Sequence, residues 1–173
     1  MNGAMFVDGD NICMHFKNSK KIHPDEDIEW EDLFFTFETQ GVELTMKKLY
    51  MTTYGLHPKG ANNLLHLGFD LRPTEEYGGK SLTDGYLMVD AMDALDHNPI
   101  DVLIIVSGDK DYLPLARKAR ARGIRVIFVA FEDDTAEIIK REFEFMDITP
   151  YVKFEYLVGN GELNVGEVVE VSL

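Results

Sequence analysis

The segment VLIIVSGDKDY, residues 102 to 112, limits the possible folds of this chain more than any other stretch. Its first five residues are all apolar and offer no side to water, so they suit a strand covered on both faces, as in a parallel sheet with helices above and below. That strand meets a turn with two carboxylates, Asp109 and Asp111. The arrangement recurs near the start, where AMFVDGDN, residues 4 to 11, carries a short apolar strand into Asp8, Gly9, Asp10 and Asn11. In parallel α/β sheets, ligands and chemistry gather outside the carboxyl ends of the strands, where the strand order reverses. Two acidic strand ends point to a site there.

Helix and strand patterns alternate along the rest of the chain. Pro24 with Asp25, Glu26 and Asp27 is expected to open a helix in which Trp30, Leu33, Phe34 and Phe37 recur at helical spacing. Residues 43 to 54 read as a strand, 59 to 67 as a helix, and FDLRP, residues 69 to 73, as a short strand stopped by proline. A glycine-containing loop leads into a helix over 81 to 95, with Leu82, Met88, Ala91, Met92 and Leu95 as its buried positions. A strand at 102 to 106, a helix at 111 to 122, the strand IRVIFVAF and a helix from about 134 to 142 follow. This order predicts an α/β fold: a three-layer, doubly wound, mostly parallel, Rossmann-like sheet over residues 1 to 150. Beyond Pro150, VKFEYLV and EVVEVSL flank Gly159, Asn160 and Gly161 and read as a hairpin-like β appendage over 151 to 173. It covers a sheet edge or pairs with a second subunit, as in a homodimer.

Asp84 joins the two strand ends because its helix follows the FDLRP strand through a βα loop, and all such loops open on one edge of a parallel sheet. Asp8, Asp84 and Asp109 are therefore expected to converge. Each also suits a helix cap, as do Asp10 and Ser81. Capping needs one small polar residue per helix, however, and this edge supplies Asp8, Asp10, Asn11, Asp84, Asp109 and Asp111. A cluster of carboxylates favours a cation, and oxygen-only ligands with no placed His or Cys favour Mg²⁺ or Mn²⁺ over zinc.

The formal net charge of −14 opposes polyanion binding overall and suits a protein partner. Arg117, Lys118, Arg120, Arg122 and Arg125 are concentrated, but toward the end of a helix whose start is acidic, where cations favour the helix dipole. Lys17, Lys20, Lys21, Lys80 and Lys110 follow the strand ends more closely and are the better candidates for phosphate contacts. Cys13 is the only cysteine, which excludes an intrachain disulfide. With no signal-peptide pattern and no bilayer-length apolar run, the expected location is the cytoplasm, without a membrane.

VDGDN, then Lys80, Asp84 and Asp90, then SGDKDYLPLARKARARGIRV resemble the NYN domains, PIN-like ribonucleases, and their bacterial LabA-like branch in particular. The resemblance covers about residues 4 to 148, with three motifs in order. It implies a metal-dependent ribonuclease in which Asp8, Asp84 and Asp109 hold the cation, Asn11 and Asp111 line the site, and Ser107 orients its turn. Asp10 stands at a variable position of the first motif, and Ser81 and Leu82 follow Lys80 where a glycine is usual. The implied reaction is phosphodiester hydrolysis by a metal-activated water, with Lys80 facing the phosphate and Tyr77 available to stack a base of single-stranded RNA. GGKS, residues 78 to 81, lacks the first glycine of a P-loop, and the five histidines show no zinc-binding spacing. Two other readings remain open. In one, Asp8 and Asp10 are the D-x-D of a haloacid-dehalogenase-like phosphohydrolase with Asp8 as nucleophile. In the other, the domain is non-catalytic and binds RNA or a protein.

Overall fold

A computed structural model describes residues 1–13 and 22–153. The apolar strands of the sequence form one six-stranded sheet in which every pairing is parallel. β1 (Asn2–Asp8) lies at its middle, with β2 (Glu43–Thr52) and then β3 (Asp70–Thr74) on one side. On the other side follow β6 (Val102–Val106), β7 (Arg125–Ala130) and β8 (Glu144–Asp147). The order therefore reverses between β1 and β6, and the crevice at their carboxyl ends is the switch point of the sheet.

Both faces of the sheet are covered, which is why β1 and β6 read as unbroken apolar runs. Met5, Val7, Ile104, Ile127 and Val129 point into one layer with Trp30, Leu33 and Phe37 of α2 (Trp30–Thr39) and Leu64 of α3 (Pro58–His66). Ala4, Phe6, Leu103, Ile105 and Phe128 point the other way, into Leu87 and Ala91 of α4 (Thr83–His97), Ala116 and Ala119 of α5 (Leu113–Ala121), and Ile139 of α6 (Glu137–Glu142). The aromatic stripe of α2 is core, with Trp30 edge-on to Phe69 at 5.0 Å.

Several expected boundaries move. Pro24–Asp27 is a turn rather than the start of α2: the His23 carbonyl accepts from the N–H groups of Glu26 and Asp27, and the Asp27 carboxylate accepts from the His23 N–H. In α4, Ala91 and Leu95 are buried as expected, Leu82, Met88 and Met92 only partly so, and Leu87 is the fully buried residue the spacing missed. The glycine-containing loop holds a small hairpin, β4 (Glu76–Tyr77) against β5 (Lys80–Ser81). Its two turn residues, Gly78 and Gly79, have φ of 61° and 76°, the left-handed backbone a two-residue hairpin turn demands. α6 begins only at Glu137, and β8 is an edge strand the sequence pattern did not announce. Past Pro150, Val152 bridges antiparallel to Ile28, and Lys153 N–H donates to the Asp27 carbonyl. The expected C-terminal strands lie outside the described residues. Among the described residues no helix is long and apolar enough to cross a membrane.

Candidate metal centre

β1 ends at Asp8 and turns at once into the short α1 (Gly9–Cys13). Asp8 Oδ1 accepts from the Asn11 N–H at 2.9 Å, so the carboxylate does cap that turn. Only glycine fits next: a Cβ on Gly9 would sit 2.9 Å from the Tyr50 carbonyl oxygen. Across the crevice, β6 runs into Ser107, which is fully buried and whose hydroxyl accepts from the Asp109 N–H at 3.2 Å. Asp109 Oδ1 then accepts from the Asp111 N–H at 2.9 Å. Asn11 Oδ1 ties the two strand ends together by accepting from the Gly108 N–H at 3.1 Å.

Asp84, in the first turn of α4, brings a third carboxylate to this edge, where its Oδ1 accepts from the Gly85 N–H at 2.8 Å. Asp10 holds the edge together. It accepts from Thr52 N–H and Thr52 Oγ1 at 3.1 Å, from Ser81 Oγ at 2.9 Å and from Thr83 Oγ1 at 2.6 Å. It therefore joins the ends of β1 and β2 to β5 and to the start of α4. The parallel register pairs Asp8 with Tyr50, so Asp10 and Thr52, two residues further on each strand, meet just beyond the sheet.

Between these elements lies an open cavity of about 340 Å³ lined by Asp8, Asp10, Asn11, Asp84, Asp109, Gly79, Lys80, Ser81 and Thr83. Asp8, Asn11, Asp84, Asp109 and Lys80 are thus brought together as the sequence suggested. Asp111, Lys110 and Tyr77 are exposed and do not line the cavity; Tyr77, at the hairpin tip, is 82% exposed. Ser107 fixes the turn from inside and has no surface with which to meet a ligand. Lys17, Lys20 and Lys21 lie outside the described residues. Asp90 stands apart, accepting from the Tyr50 hydroxyl and pairing with Arg72. The arginines past the start of α5 are taken up by acids: Arg117 and Arg120 by Glu142, Arg122 by Asp96 and Arg125 by Glu144.

Asp8 is the electrostatically strained member. Burial pushes its carboxyl up to about 6, the charges of Asp10 and Asp109 add to the rise, and the hydrogen bonds from Tyr112 and Asn11 oppose it. A buried carboxylate with two acids for neighbours, facing a cavity that Asp84 also lines and that holds no sulfur or imidazole donor among the described residues, suits a hard divalent cation such as Mg²⁺ or Mn²⁺. The carboxylates are less crowded than the sequence suggested. Among the described residues, the group of three whose ligand atoms all lie within 4.8 Å of one another is Asp25, Glu26 and His57, not the strand-end trio. By distance that second group could hold a metal, and Asp25 Oδ2 is buried without a hydrogen bond. Its histidine is otherwise engaged. His57 Nδ1 accepts from the Gly60 N–H at 3.3 Å as the cap of α3, which places the ring proton on Nε2, 3.4 Å from Asp25 Oδ2. A cation on Nε2 would send that proton to Nδ1, against the Gly60 N–H. The Asp25 group reads as a clamp on α3.

A family model of the NYN domain matches residues 2–149. The chain belongs to the NYN domain family. NYN domains are PIN-like and belong among the nucleases, which generally use divalent metals. No curated protein matches the chain in sequence. Among solved structures, a protein of unknown function from Vibrio parahaemolyticus RIMD 2210633 is similar, with a TM-score of 0.67 at 19% identity, over 88% of this chain and 96% of that one. At that identity the likeness speaks for the shared fold alone. Within the NYN domain, sequence reasoning missed Tyr112, whose hydroxyl reaches Asp8, and the role of Asp10.

Proposed function

We propose that this NYN domain, of the LabA-like branch by its motifs, is a ribonuclease that hydrolyses phosphodiester bonds of single-stranded RNA with Mg²⁺ or Mn²⁺ held by Asp8, Asp84 and Asp109. The observation that carries this reading is the cavity at the β1/β6 switch point, where those three carboxylates share a wall with Lys80. When bound, the cation supplies Lewis acidity toward the phosphodiester and acidifies water. The protein supplies the rest. Asn11, its carbonyl oxygen engaged by Gly108, keeps its amide N–H groups to donate to a phosphate oxygen. Lys80, on an exposed hairpin strand that lines the cavity, brings a cation toward the phosphate. Asp10 keeps that hairpin and the Asp84 turn in register with the strand ends, and Tyr77 presents an exposed ring for a base.

The geometry of Asp10 weighs against the phosphohydrolase alternative. There its carboxyl would have to shuttle a proton to a leaving group, yet both of its oxygens accept hydrogen bonds from Thr52, Ser81 and Thr83. The test is cleavage of labelled single-stranded and structured RNAs by the purified protein in Mn²⁺ or Mg²⁺. Cleavage is expected to need the metal and to vanish in Asp109→Asn, because losing a ligand charge weakens the hold of the site on the cation. Cleavage that survives EDTA, or is equal in both proteins, contradicts the reading.

A further inference from the structure

Tyr112 has no surface exposure and packs in the layer that holds Phe6, Leu103 and Ala116. Apolar packing alone would be served by a phenylalanine there. The added hydroxyl must find a partner once buried, and the partner it finds is the carboxylate of the first proposed ligand: Tyr112 donates to Asp8 Oδ2 at 2.6 Å. The other oxygen, Oδ1, accepts from the Asn11 N–H at 2.9 Å. Each carboxylate oxygen offers about two lone-pair sites, so one donor on each fixes the plane of the group and leaves capacity on both for a cation. The donor is also mechanically placed. Tyr112 closes the turn that carries Asp109, its N–H donating to the Asp109 carbonyl at 3.3 Å. In the same direction as the hydroxyl, Gly108 of that turn donates to Asn11 Oδ1. The Asp109 turn thus donates two hydrogen bonds to the Asp8 turn, one of which ends on the Asp8 carboxylate itself.

We propose that Tyr112 is a positioning residue of the cation site, its buried hydroxyl holding the Asp8 carboxylate in the orientation that receives the ion and locking it to the turn that bears Asp109. This rests on the cation reading of the site given above. A side chain that orients a metal ligand shows itself in metal affinity, where its loss typically costs 10- to 100-fold, whereas a merely structural side chain shows itself in the stability of the metal-free protein. Tyr112→Phe separates the two, since it removes one oxygen and keeps the ring.

The experiment titrates Mn²⁺ into the parent, Tyr112→Phe, Asp8→Asn, Asp109→Asn and the Tyr112→Phe/Asp8→Asn pair, reading bound metal directly and thermal melts in EDTA alongside. The expected result is an Mn²⁺ dissociation constant at least about tenfold weaker in Tyr112→Phe than in the parent. The double variant is expected to bind as Asp8→Asn does, because the hydroxyl acts through that carboxylate and has nothing left to orient. Equal affinity in parent and Tyr112→Phe, with Asp109→Asn weakened, overturns this inference and leaves the cation site standing. Additive losses in the double variant also overturn it, by placing the effect of the hydroxyl elsewhere. A parent that binds no Mn²⁺ removes both the inference and the reading it rests on. If Tyr112→Phe melts lower in EDTA, the titration is run below its midpoint, and the comparison with the double variant still decides.

Discussion

Asp8 concentrates the tension of this site in one side chain. Its carboxyl is pushed up from 3.8 to about 6, chiefly by burial. A group whose folded value is raised contributes stability that is fully present below the unfolded value and is lost as pH rises through the folded one. In the metal-free protein that window runs from about pH 4 to pH 6, and the shift corresponds to about 3 kcal/mol. Replacing the acid with Asp8→Asn removes the charge and keeps a cap for the Asn11 N–H. Urea unfolding in EDTA is expected to find the variant more stable than the parent at pH 7.5, with the difference shrinking toward pH 4.5. A pH-independent difference, or a less stable variant at pH 7.5, would show that the Asp8 charge is not a burden on the fold. The convergence of Asp8, Asp84 and Asp109 was readable in the sequence because all βα loops of a parallel sheet share one edge. The work of Asp10 was not, because its partners Thr52, Ser81 and Thr83 are ordinary polar residues whose meeting depends on strand register and hairpin placement.

The hairpin of β4 and β5 brings Lys80 to the cavity, and its glycine turn leaves the lysine exposed and unpacked. Lys80→Ala is therefore expected to leave the melting temperature unchanged while lowering turnover at saturating RNA by about tenfold or more, the order seen when a group that stabilises transition-state charge is lost. A rise in KM with turnover intact would make Lys80 a binding residue only. The basic run of α5 is expected to behave differently, since its arginines are engaged by Glu142 and Asp96. Joint replacement of Arg117, Arg120 and Arg122 by Ala should leave saturated turnover intact and reduce the salt dependence of RNA binding by less than one phosphate contact, a log–log slope change below about 0.7. A larger change in slope would put α5 on the RNA path. Elements buried on both faces, β1, β6 and β7, stood out in the sequence as apolar runs. β4, β5 and β8 did not: the first two are two residues long, and EFMD of β8 lies on an edge with no fully buried position. The start of α6 was set too early because Glu132–Asp134 forms a separate 3₁₀ turn, after which the Thr135 hydroxyl donates to the Phe131 carbonyl.

At the level of the whole molecule, the alternation of apolar strands and amphipathic helices specified a three-layer parallel sheet, and the reversal of strand order between β1 and β6 placed its crevice between Asp8 and Asp109. The chain as a whole carries a formal net charge of −14, which favours the approach of divalent cations and opposes that of a polyanion. Among the described residues, the proposed strand-end trio has one competitor by distance, the Asp25, Glu26 and His57 clamp. Free Mn²⁺ followed by electron paramagnetic resonance separates them. The parent and His57→Ala are expected to deplete free Mn²⁺ alike, while Asp109→Asn does so at least about tenfold more weakly. Binding that is lost in His57→Ala and retained in Asp109→Asn would move the metal out of the switch-point crevice and contradict the strand-end site.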